Sequence, residues 1–115
     1  MYQAGYAEVL DDSNHLARSH ERQALTRAIE LLGLAEKRGS RSREAVDALM
    51  FTTRLWNLLL QDLASPENAL PVSLRANLIS VGIWVVKEAE RIRRDESDNF
   101  AGIIQICDTI RSGLK

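Results

Sequence analysis

Apolar residues return with helical spacing in four stretches of the chain, and Gly, Pro and Ser fall between them. From about Ser13 to Arg38 the stripe is Ala17, Ala24, Leu25, Ala28, Ile29, Leu31, Leu32 and Ala35, while Arg18, Glu30 and Lys37 fall elsewhere. That pattern predicts an amphipathic helix closed by Gly39. Ser40 or Ser42 is placed to cap a second helix running to about Ala64. Ser65-Pro66-Glu67 reads as an N-cap, a first-turn proline and a first-turn acid. Pro71 follows too soon for that turn to extend, so a third helix is expected from near Pro71 to about Arg94. Ser97 or Asp98 caps a fourth, with Phe100, Ile103, Ile106, Cys107, Ile110 and Leu114 as its stripe. No stretch alternates as a strand would. The expected fold is all-α: a four-helix bundle forming one domain over residues 1–115, preceded by an N-terminal arm.

The second and third helices raise the functional question. In the second, Val46, Leu49, Thr53, Trp56, Leu60 and Leu63 form an ordinary core face, and Ala48, Phe51, Leu55 and Leu58 form a second stripe on nearly the opposite side. Either two neighbouring helices flank this one, or the second stripe lines a groove for a partner helix. In the third, Leu74, Leu78, Val81, Gly82, Val85, Ala89 and Ile92 share an inward face. Trp84 points away from it, among Asn77, Ser80, Lys87, Glu88 and Arg91. A large aromatic ringed by polar residues has the character of an interface anchor. The competing expectation is that the arm covers it, since Tyr2 and Tyr6 are spaced i, i+4.

Composition narrows the chemistry. The chain has 115 residues, 45% of them apolar, and 15 Lys plus Arg against 16 Asp plus Glu, a formal net charge of −1. A domain of this size can bury a real core without metals or disulfides, but it offers no global field for a phosphate backbone. Arg38, Arg41 and Arg43, and Arg91, Arg93 and Arg94, are local basic clusters without interleaved aromatic platforms, and helix C-terminal cations have a dipole explanation. Nucleic acid is not the expected partner. Residues 1–12 carry acids but no Lys or Arg, unlike a secretory leader, and the most apolar run, Ile79 to Val86, is far shorter than the ~20 residues that span a bilayer. No membrane insertion and a cytoplasmic location are expected. His15 and His20 are five apart, Cys107 stands alone on an apolar stripe, and no nucleophile or phosphate-loop motif occurs. No enzymatic activity, metal or cofactor is expected.

Several longer strings are more specific. Met1-Tyr2-Gln3-Ala4-Gly5-Tyr6, Leu55-Trp56-Asn57, Asp62-Leu63-Ala64-Ser65-Pro66-Glu67-Asn68-Ala69-Leu70-Pro71, Leu78-Ile79-Ser80-Val81-Gly82-Ile83-Trp84-Val85, and Glu96-Ser97-Asp98-Asn99-Phe100 occur in this order. Together they resemble the bacterial flagellar biosynthesis regulator family FlaF. The resemblance implies a small helical flagellar protein, a chaperone for flagellin that works alongside FlbT, the regulator that restrains flagellin translation. Flagellin ends are amphipathic, so helix-in-groove recognition is the expected chemistry. The expected partner-binding residues are Phe51, Leu55, Leu58 and Trp84 with Tyr2 and Tyr6 for apolar contact, and Asn77, Lys87 and Arg91 among the rim residues that set register. The alternative reading is a post-transcriptional regulator contacting flagellin mRNA, directly or within a complex with FlbT, through Arg41, Arg43, Arg93 and Arg94. A homodimer through the spare stripe is the third.

Overall fold

The computed structural model describes the backbone of residues 2–113 and the side chains of residues 19–113. Four helices account for nearly all of it: α1 (Tyr2–Arg38), α2 (Arg43–Ala64), α3 (Val72–Arg93) and α4 (Phe100–Gly113). Each is adjacent to the next, and α1 also lies along α4; the α3–α4 boundary is the smallest. This is the all-α four-helix bundle expected from the periodicity. The N-terminal arm is itself helical and forms the leading part of α1. With 37 residues, α1 measures about 55 Å, close to the 57 Å long axis of the molecule. It exceeds α2 and α3 by about four turns.

The connections follow from local chemistry. Gly39 ends α1 with φ +100°, a conformation open to glycine at little cost. Ser42 is the N-cap of α2: its Oγ accepts from the Ala45 amide at 3.1 Å and donates to the Gly39 carbonyl at 2.7 Å. Ser65-Pro66-Glu67 forms a turn rather than a helix start. There the Ser65 Oγ accepts from the Glu67 amide at 3.3 Å and the Ser65 carbonyl from the Asn68 amide at 3.1 Å. The C-terminal carbonyls of α2, which lack helical donors, are met from α3. Arg75 donates through Nε to the Leu63 carbonyl at 3.0 Å and through Nη2 to the Ser65 carbonyl at 3.3 Å. The end of α3 is a Schellman motif with Asp95 in the left-handed position, φ 65°. The Glu96 amide donates to the Arg91 carbonyl and the Asp95 amide to the Ile92 carbonyl.

The core is built around Trp56, which is 1% exposed and stands between α3 and α4. Its Nε1 donates to Cys107 Sγ at 3.5 Å. Gly82 lets α3 approach on the other side: a Cβ there would lie 3.1 Å from Trp56 Cε3 and 2.7 Å from Leu60 Cδ2. Leu25, Ala28, Leu32 and Ala35 of α1, Val85, Ala89 and Ile92 of α3, and Phe100, Ile103 and Cys107 of α4 pack into the same interior. Burial raises the pKa of the Cys107 thiol, which packs as a small apolar group.

The two apolar stripes of α2 turn out to be the halves of one buried arc, about 120° wide at 100° per residue. The arc centres on Thr52 and includes Ala45, Ala48, Leu49, Leu55 and Trp56. The outer members of each stripe emerge at its rims, Val46 on one side and Leu58 on the other. Leu74 of α3, expected inside, is exposed near the start of its helix.

Two stability measurements test this packing. Gly82→Ala is expected to lower unfolding free energy by about 1–3 kcal/mol in urea melts, because Leu60 and the rigid indole must both move. Thr52→Val is expected to raise it by about 1 kcal/mol, since the buried Thr52 Oγ1 has no hydrogen-bond partner among the described residues and valine keeps the shape.

Candidate functional site

The phase of α3 is set by Gly82 against α2, and Trp84 follows two residues later, 200° around the helix. It emerges 39% exposed, beside Ile83, which is also exposed. Asn77, Ser80, Lys87 and Arg91 are exposed on the same outer side. The structure thus leaves Trp84 exposed among these polar side chains, as its phase relative to Gly82 requires. Ile83 extends the apolar spot; the sequence reading omitted it because it belongs to neither the inward stripe nor the polar face.

The α2 residues expected to join Trp84 do not lie on that face. Leu55 is buried in the core and is not available to a partner, which corrects its place among the contact residues. The reason is the width of the α2 arc: a helix flanked by both α1 and α3 buries the inner half of its second stripe. Phe51 is half-buried and faces the α1 side, where it lines a groove with Arg27 and Leu31 of α1. Leu58 is 64% exposed. Trp84 faces away from α2, so these residues and the α3 spot occupy different sides of the bundle. Tyr2 and Tyr6 fall within α1, and their side chains lie outside the described residues.

The outward face of α2 is a ridge between two grooves. One, about 370 Å³, runs along α3 and is lined by Val46, Leu49, Met50, Thr53 and Ala89 with Arg54, Glu90 and Arg93 at its edge. The other, about 360 Å³, runs along α1 between Asp47 and Arg54 over Leu31, Met50 and Phe51. Val46 and Met50 are each about half exposed, at 53% and 50%. The sequence pattern had assigned Val46 to the core and had not assigned Met50.

Electrostatics fix the α3–α4 connection. Glu88 is buried, and burial raises its pKa, but hydrogen bonds from Asn99, Ser97 and Arg91 together outweigh that and hold the carboxyl below its ordinary range. The Arg91 Nη1 to Glu88 Oε1 distance is 2.7 Å, and Ser97 Oγ and Asn99 Nδ2 reach Glu88 Oε2 at 3.1 and 3.3 Å. Arg91 thus clamps Glu88 from the same exposed side of α3 as Trp84. Glu90 is lowered to about 2 by Arg93, through a hydrogen bond and its charge, with Arg94 adding to the effect. Arg41 pairs with Asp95, so all three arginines of the α3 cluster but only one of the other cluster are engaged with acids among the described residues.

Among the described residues, no group of three or more His, Cys, Asp or Glu side chains is placed to hold a metal, and no helix is long and apolar enough to cross a membrane. The fold and its faces define a four-helix bundle with one interior tryptophan and apolar surface on two outer sides. Residues 2–114 match the family described as flagellar protein FlaF, and the chain belongs to that family. No curated protein sequence matches it. No solved structure matches it either.

The Glu88 clamp gives a pH prediction. Its folded pKa lies below the unfolded value, so its stabilisation is present above about pH 4.3 and fades as pH falls through that value toward the lowered one. Glu88→Gln is expected to be less stable at neutral pH yet to lose less further stability below about pH 5, as read by urea melts across a pH series.

Proposed function

We propose that this flagellar protein is a biosynthesis regulator that acts in the cytoplasm as a flagellin-binding chaperone, promoting flagellin synthesis and export and working with FlbT. Membership of the FlaF family supplies the flagellar context. The observation that carries the reading is Trp84, exposed beside Ile83 on the side of α3 turned away from α2. An amphipathic flagellin segment would bury its apolar stripe on that spot, and Asn77, Lys87 and Arg91 would set its register at the rim. Aromatic anchors of this kind contribute most of the free energy of such contacts. A chaperone needs only to hold the sticky face until export; no catalytic group is required.

Direct contact with flagellin mRNA is less well supported. Arg41 is paired with Asp95, and Arg93 and Arg94 with Glu90, which leaves Arg43 as the one arginine of that proposed set without an ion pair among the described residues. Salt separates the two readings. RNA affinity falls steeply between low and physiological salt through counter-ion release, whereas an apolar protein interface changes little.

The test is co-purification with full-length flagellin and with flagellins deleted at either end. Trp84→Ala is expected to leave thermal stability nearly intact and weaken flagellin binding by about 2 kcal/mol. Collapse of stability in that variant would place Trp84 in the core, and failure of every full-length flagellin to bind would remove the proposal.

A further inference from the structure

The groove between α1 and α2 has a charge arrangement that the flagellin reading leaves unused. Along its α2 wall Asp47 stands at one end and Arg54 at the other, with Met50 and Phe51 between them, while on its α1 wall Arg27 is paired with Glu30. Asp47 and Arg54 are both exposed, and among the described residues neither takes part in an ion pair or a side-chain hydrogen bond. They cannot satisfy each other within the helix. Seven residues separate them, about 10.5 Å along the axis and about 20° around it.

They are opposite in sign and share one exposed face of α2. The midpoint between residues 47 and 54 falls between Met50 and Phe51, so a second α2 laid antiparallel across that midpoint places an Arg54 opposite Asp47 and an Asp47 opposite Arg54. This is the requirement of an isologous two-fold contact, in which residue i meets j and j meets i. Half-exposed Met50 and half-buried Phe51 would lie at the centre of the contact, and Leu31 of α1 would extend its floor. A partner of uniform charge would be attracted at one end of the groove and repelled at the other; an identical groove turned through 180° is matched at both.

We infer that the outward face of α2 is a homodimer contact, in which two copies pair antiparallel through Met50 and Phe51 with reciprocal Asp47–Arg54 ion pairs. The contact leaves the outer face of α3, with Trp84, open in both copies. Dimer formation and capture of a flagellin segment therefore use separate surfaces and can be disrupted separately.

Sedimentation equilibrium of the full chain over a concentration series reads the association directly. The unaltered protein is expected to approach twice its 12.9 kDa chain mass as concentration rises. Asp47→Arg and Arg54→Asp, each of which sets like charges against each other, are expected to raise the dissociation constant on the order of tenfold. The double variant exchanges the two charges, so it is expected to recover most of the association. Met50→Glu is expected to dissociate the dimer without relying on the ion pairs, and circular dichroism of every variant reports whether the helices remain. A monomer at every concentration overturns the inference. So does a dimer indifferent to the single reversals, a double variant no better than either single one, or a dimer unaffected by Met50→Glu.

Discussion

The contact between the Trp56 ring and the backbone of α3 at Gly82 governs the arrangement of the bundle. An indole this large can lie inside a four-helix bundle only if a neighbour gives way, and the neighbour that does so is a residue without a side chain. The consequence reaches the opposite side of α3. Because Gly82 must face α2, the helix phase turns Trp84 outward. On the other side of the indole, the single N–H must be accounted for, and Cys107 Sγ accepts it weakly while filling a small volume. One interior tryptophan thus fixes a close approach, a small residue on α4 and the outward position of the other tryptophan.

Polar groups then hold the ends of the helices in place. Arg75 covers the free carbonyls at the end of α2, and Glu88 gathers Arg91, Ser97 and Asn99 where α3 turns toward α4. The α3–α4 boundary is the smallest helix boundary in the bundle, so a buried carboxylate with three donors has an evident task there. Arg93 and Arg94, at the C-terminus of α3, are paired with Glu90, three and four residues away. Such exposed pairs stabilise little, but they reduce the free positive charge available to a phosphate chain. What remains open is apolar surface on α2 and α3 edged with polar side chains.

Much of this was legible in the sequence because four helices bounded by Gly39, Ser42, Pro71 and the Ser97–Asn99 turn leave clear punctuation. Trp84 was legible for the same reason: its phase relative to Gly82 follows from counting residues. The width of the α2 arc was not. Periodicity finds the direction of an apolar face, whereas the depth to which each flank is buried depends on which helices stand beside it, and that is tertiary information. Hence Val46 passed for core and Leu55 for surface. Glu88 read as part of the polar face because its partners Ser97 and Asn99 lie across a turn. Arg75 gave no signal, since the carbonyls it serves belong to another helix.

The two tryptophans allow the interior and the proposed docking face to be probed in one experiment. With fluorotryptophan at both positions, fluorine NMR gives one resonance for Trp56 and one for Trp84. In the free protein the Trp84 resonance is expected to respond to exchange of water for deuterium oxide, and saturating flagellin is expected to move it and remove that response while the Trp56 resonance stays in place. A Trp84 resonance that keeps its position and its solvent response in the flagellin complex would contradict the assignment of the outer face of α3 as the docking surface.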